Sequence, residues 1–250
     1  MNISLIHEEF GAEIRNIDLS RQPGDDEFSE IVAAVNKYSL LIFRDQDLDD
    51  NGQMTFSRMF GSLEEEHTAY YSHGQITYMG KVGNIDDRGE KLSNNNQSVR
   101  SQTGNQMWHS DSSFREVPSL YSLLYAHEVP KIGGDTEFTS ARAAYERLDD
   151  QTQNHIEPLI GIHDYIHSRT RISEDAVSWG QRAYMRPVRQ RLIRKNPVTG
   201  QRNLYLGSHV KEIEGLSGTH SRELINRLMS EITRDESIYR HQWRKGDFVL

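Results

Sequence analysis

The chain has 250 residues, 35% hydrophobic and 26% charged, with a mean hydropathy of −0.74, enough to bury a sizeable core without cross-links. The absence of cysteine excludes a disulfide framework, a cysteine-ligated metal centre and a thiol nucleophile. A net charge of −8 argues against nucleic acid as a partner; no run approaches the ~20 apolar residues of a membrane span and Met1–His7 has no signal-peptide pattern, so a cytoplasmic protein is expected.

In chain order, apolar residues at Phe28, Ile31, Val32 and Val35 predict a helix over Asp25–Tyr38, followed by a buried strand at Leu40–Phe43. A second helix is predicted over Asn51–Phe60, closed by Gly61. The Gly-, Asn- and Ser-rich stretch from Asp86 to Asn105 reads as a long loop, the kind that often serves an active site. Leu120–His127 reads as a strand, Ser140–Leu148 as a short helix capped by Ser140, and Asn203–Leu206 as a strand. Ser221–Thr233 carries one apolar helical face; strands follow at Ile238–Trp243 and Phe248–Leu250. A basic cluster (Arg182, Arg186, Arg189, Arg191, Arg194, Lys195) reads first as a solvated charged face.

The chemistry centres on Trp108-His109-Ser110-Asp111. On extended backbone, residues i and i+2 project to one side, so His109 and Asp111 present an imidazole and a carboxylate together. These are two thirds of the 2-His-1-carboxylate triad that binds non-haem iron(II) with open positions for oxygen chemistry. In a chain with 11 histidines the tripeptide also fits a surface histidine capping a turn. Downstream, Gly133-Gly134 makes a tight turn, after which Thr136 opens a strand and can offer a hydroxyl to a pocket. There is no Gly-x-Ser-x-Gly elbow to support a hydrolase.

The run from Asn105 to Leu148 (NQMWHSDSSF…YSLLYAHEVPKIGGDTEFTSARAAYERL) resembles the TauD/TfdA family of Fe(II)- and 2-oxoglutarate-dependent dioxygenases, most of all its 2,4-dichlorophenoxyacetate dioxygenase branch. Phe43–Gln46, Phe56–Gly61, Asn203–His209 and Tyr239–Trp243 with Gly246-Asp247 are similar in family order. The resemblance implies a mainly β, α+β fold over residues 1–250 as a single domain: a double-stranded β-helix, or jelly roll, with flanking helices. It implies that His109 and Asp111 bind Fe(II) and that Thr136 hydrogen-bonds a carboxylate of 2-oxoglutarate. With O₂, 2-oxoglutarate would be converted to succinate and CO₂ while the substrate is hydroxylated; a hydroxylated carbon bearing an ether oxygen or a sulfonate then loses that group.

Family order places the third ligand, a histidine, beyond residue 250, with an arginine for the distal carboxylate of 2-oxoglutarate after it. The chain is therefore expected to be truncated at its C-terminus, to lack the last strands of the jelly roll, and by itself to be inactive and poorly stable.

The expected substrate is a small organic anion, an aryloxyalkanoate such as 2,4-dichlorophenoxyacetate, with taurine, another alkylsulfonate or an alkyl sulfate as the alternative. A reading of another class is a jelly-roll binding module without a metal. By resemblance, His67 and Asn84 match pocket segments of the taurine branch, and Lys91 a lysine of the phenoxyacetate branch, although Lys91 also reads as a solvated loop charge. Asn196 stands where phenoxyacetate enzymes often have histidine, a departure from strict phenoxyacetate specificity. Tyr70 and Tyr71 can supply an aromatic wall or join the core. Self-association is left open.

Overall fold

The structure is a computed structural model that describes residues 1–65, 77–86 and 88–250. In chain order its elements are β1 (Asn2–Leu5), β2 (Ala12–Arg15), α1 (Asp25–Tyr38), β3 (Leu41–Phe43), α2 (Asp50–Arg58), α3 (Gln97–Thr103), β4 (Leu124–Tyr125), β5 (Thr136–Phe138), α4 (Ala141–Glu146) and α5 (Asp150–Ile156). They continue with β6 (Ile160–His163), α6 (Tyr165–Thr170), α7 (Trp179–Tyr184), β7 (Val188–Arg191), β8 (Ile193–Lys195), β9 (Arg202–Leu204), β10 (Val210–Ile213), α8 (Gly218–Ile232), β11 (Tyr239–His241) and β12 (Phe248–Val249).

The largest sheet runs β1-β2-β3-β12-β4. Its centre explains the uninterrupted apolar run at Leu41-Ile42-Phe43. Leu41 and Phe43 face a core shared with α1, α2 and Phe248, whereas Ile42 faces a second core with Phe10, Leu40 and Val249. A strand covered on both faces has no polar side, so alternation disappears. β12 slots between β3 and β4, pairing Phe248 with both Phe43 and Tyr125. Leu41 and Leu250 then exchange backbone bonds of 2.8 and 2.9 Å.

A second sheet, β10-β6-β7, and the β8/β9 hairpin lie near a separate core built from α4, α5 and the buried face of α8. Leu224, Ile225, Leu228 and Ile232 fill that face, as their spacing requires. A two-stranded β11/β5 ladder sets Thr136 opposite His241. Among the described residues no helix is long and apolar enough to cross a membrane.

Predicted α1 is found with its bounds unchanged, and α4 begins at its Ser140 cap, whose Oγ accepts from Ala143 N. Three expectations need correction. Residues 86–105 are not one loop: Asn96 Oδ1 accepts from Ser98 N and starts α3, because an Asn-rich run supplies helix caps as readily as turns. The strand expected over Leu120–His127 shrinks to Leu124–Tyr125, since Ser122 bonds a side chain instead and the Leu123 carbonyl accepts from Gln53 Nε2. The last helix starts at Gly218 rather than Ser221, because Ser217 caps it.

Candidate active site

The Trp108–Ser110 segment is irregular backbone rather than a strand, yet its side chains converge as the spacing suggested. His109 Nε2 lies 3.2 Å from Asp111 Oδ1. The remaining atom of each group is held. His109 Nδ1 lies 2.7 Å from the Met107 carbonyl, to which it donates, and Asp111 Oδ2 accepts from Ser122 Oγ at 2.6 Å. A histidine whose Nδ1–H is spent on a carbonyl turns the Nε2 lone pair outward. Here that lone pair faces a carboxylate oxygen, so two acceptors confront each other and require a cation between or beside them.

Without a metal that cation is a proton. Burial works against the charged imidazole, but the Asp111 carboxylate and the Met107 carbonyl outweigh it, and the His109 pKa rises above its usual value. The bond from His109, opposed by burial and aided by Ser122, holds Asp111 down at about 2. With a metal, the same two atoms fit as adjacent ligands. Donors at right angles and each ~2.1 Å from an ion stand ~3 Å apart. Among the described residues no set of three or more His, Cys, Asp or Glu stands together as a metal cluster.

The neighbouring chain fixes this pair. After Asp111 the backbone turns through Ser112, at φ 55°, whose Oγ donates to Glu64 Oε1 at 2.7 Å. Ser119 donates to the other Glu64 oxygen at 2.5 Å. On the far side, Ser208 N donates to the Trp108 carbonyl at 2.8 Å. Gly207 has φ +151°, and a Cβ there would stand 2.8 Å from His109 Cα. That approach admits only hydrogen. Gly207→Ala should therefore displace His109 and cost about 1–3 kcal/mol of stability, with weaker metal binding, read by thermal unfolding with and without Mn(II).

His209, next in that segment, is buried against Phe114, with ring centroids 4.8 Å apart, and lies 6.1 Å from the His109 ring. Burial and the nearby Arg169 push its pKa down to about 2, so it stays neutral. Thr136 accepts from the Trp243 indole N–H at 2.8 Å. An indole only donates, so the Thr136 hydroxyl keeps its own proton for another acceptor.

Other predicted residues are less engaged. Asn84 and Lys91 are exposed; Leu92 N donates to the Asn84 carbonyl at 2.8 Å, and neither side chain bonds His109 or Asp111. His67, Tyr70 and Tyr71 lie outside the described residues. Arg189 is paired with Glu214 at 2.6 Å and Arg194 sits over the Tyr205 ring, so the basic cluster is largely a surface face. A cleft of about 500 Å³ lined by Arg100, Asp175, Trp179 and Arg182 contains none of the predicted site residues. Ser122, Met107 and Gly207 were not singled out by sequence reasoning, because Ser122 and Gly207 act through contacts distant along the chain and Met107 through a backbone carbonyl that any residue supplies.

The sequence profile of the Taurine catabolism dioxygenase TauD, TfdA family matches residues 2–250. The chain belongs to the TauD/TfdA dioxygenase family. This TauD/TfdA protein is 34% identical over 251 residues to the alpha-ketoglutarate-dependent 2,4-dichlorophenoxyacetate dioxygenase of Cupriavidus pinatubonensis, covering 98% of this chain and 86% of that one. It is 31% identical to the (S)-phenoxypropionate/alpha-ketoglutarate-dioxygenase of Sphingobium herbicidovorans, covering 96% and 82%. Among solved structures it superimposes on AAD-2, crystallised with Mn(II) and N-oxalylglycine, with a TM-score of 0.89 at 34% identity over 99% of this chain and 88% of that one. The jelly-roll expectation agrees with this fold family, whose sheets appear here as the four described above.

Proposed function

We propose that the protein is an Fe(II)- and 2-oxoglutarate-dependent dioxygenase that hydroxylates a small aryloxyalkanoate. The carbon bearing the new hydroxyl also bears the ether oxygen, so the hydroxyl becomes a carbonyl as its proton passes to the departing aryl oxygen, giving a phenol and a 2-oxo acid, while 2-oxoglutarate yields succinate and CO₂. The observation that carries this is the confrontation of His109 Nε2 and Asp111 Oδ1 at 3.2 Å with both outer atoms already bonded.

Bound iron supplies oxygen chemistry that no side chain performs. The chain's own residues prepare the site. Met107 selects the His109 tautomer, and Ser122 fixes the carboxylate rotamer of Asp111. Thr136, oriented by Trp243, donates its remaining proton to a carboxylate of 2-oxoglutarate. Asn84, Lys91 and His67 are assigned to the substrate side by resemblance alone, and 86–105 to the chain bordering it.

The test is oxygen uptake by the full-length protein with Fe(II), 2-oxoglutarate and a panel of anions. Uptake that depends on an aryloxyalkanoate, with phenol release and loss of activity on chelation, is expected. Sulfite or sulfate release from a sulfonate or alkyl sulfate would move the substrate class; a relative 27% identical is the Alkylsulfatase of Acinetobacter baylyi. No uptake with any anion would favour a binding module.

A further inference from the structure

Arg169, on α6, is 8% exposed. Its polar contact among the described residues is one neutral oxygen, Asn105 Oδ1, at 2.8 Å, and its Nε–H is enclosed without a partner. Three other arginines partly withdrawn from solvent meet carboxylates: Arg44 meets Asp247 and Glu13, Arg115 meets Glu64, and Arg147 meets Glu9. A guanidinium removed from water with no carboxylate beside it among the described residues is costly, and an anion brought to it would offset that cost.

The surroundings are shaped to hold that cation in place. Its charged end lies over the Tyr165 ring, 5.0 Å from the centroid. Tyr165 stacks on His209 at 6.1 Å, and His209 meets His109 edge-on at 6.1 Å. Arg169 therefore stands at the end of a continuous series of rings leading to the candidate iron ligand. Room for it is made by Gly104, where a Cβ would fall 1.9 Å from Nη1 and 2.9 Å from Cζ.

We infer that Arg169 anchors the carboxylate of the organic substrate, with Tyr165, Phe114 and His209 forming an apolar wall beside it. The planar fork matches a carboxylate with two parallel N–H bonds, and His209, kept neutral, does not compete for the anion. This rests on the dioxygenase reading for its substrate class. The 2-oxoglutarate carboxylate is assigned elsewhere, to Thr136 on the β5/β11 ladder.

The experiment is calorimetric titration of the Mn(II)-loaded full-length protein, without turnover, with phenoxyacetate, phenoxyacetamide and N-oxalylglycine. Arg169→Gln should bind phenoxyacetate at least about thirtyfold more weakly than the parent, while N-oxalylglycine binding stays within about twofold and serves as the fold control. Arg169→Lys should fall between the two, because it keeps the charge and loses the fork. Gly104→Ala, which displaces the guanidinium without altering it, should shift the same way. The parent should prefer the acid to the amide, and Arg169→Gln should lose that preference.

Unchanged phenoxyacetate binding in Arg169→Gln, equal loss of N-oxalylglycine, or a parent that binds the amide as tightly as the acid would overturn the assignment. A parent that binds phenoxyacetate through Arg169 but not N-oxalylglycine would instead remove the dioxygenase reading, so the two failures are distinguishable.

Discussion

An Asp111→Ala variant of the full-length protein is expected to bind Mn(II) or Fe(II) at least about a hundredfold more weakly than the parent and to show no 2-oxoglutarate turnover. Loss of an outer partner of a metal ligand already costs 10–100-fold, which sets the floor for losing a ligand itself. The removed carboxylate also leaves His109 Nε2 without the oxygen 3.2 Å away. Ser122→Ala, which frees only Asp111 Oδ2, should weaken metal binding by about 10–100-fold and lower turnover without abolishing it. Calorimetric titration with Mn(II) and an oxygen electrode read both effects. A variant lacking Asp111 that kept full affinity and activity would remove this pair from the site.

Arg44→Met is expected to lower stability by about 3–5 kcal/mol, a fall in Tm of roughly 6–20 °C for a chain of this size. Asp247 is fully buried, and its Oδ2 accepts from Arg44 Nη1 at 2.5 Å and from Arg244 N at 2.8 Å, with His241 Nε2 3.2 Å away. Its Oδ1 has no partner among the described residues. Removing Arg44 strands a carboxylate in the interior, a larger penalty than the pair's own worth. The double variant Arg44→Met/Asp247→Leu should recover part of the loss, since no buried charge then remains uncompensated. Thermal unfolding of the three proteins decides it; a single variant as stable as the parent would mean that Asp247 finds another cation.

The sequence was most readable where one physical signal acted alone. α1 has a clean apolar stripe and acidic residues in its first turn, and its bounds were recovered unchanged. The short strands β6, β7, β8 and β10 were not anticipated, because their three or four residues mix glycine, polar or charged residues with apolar side chains and take their regularity from their neighbours. The site divided in the same way. His109 and Asp111 are two residues apart and visible as a motif, and the family resemblance drew in Thr136. Ser122, eleven positions beyond Asp111, has no local signature, because its hydroxyl matters only once the chain has doubled back. Gly207 lay inside a recognised run of similarity, but its need to lie against His109 Cα is written in a positive φ and a close approach. Arg169 belongs to no motif; its burial, with no carboxylate beside it among the described residues, emerges only from the fold.

The insertion of β12 between β3 and β4 has a consequence for the order in which the molecule assembles. β3 must wait for a partner roughly two hundred residues further along, so the centre of the largest sheet closes only after Phe248 is available. Loop closure over such a span is slow, and pairings of high sequence separation dominate folding rates. During synthesis the β1-β2-β3 segment therefore carries an unpaired edge of Leu41-Ile42-Phe43, a fully apolar strand and a ready template for intermolecular pairing. Chaperone dependence and aggregation during refolding should accordingly track access to this edge more closely than the final stability of the folded enzyme.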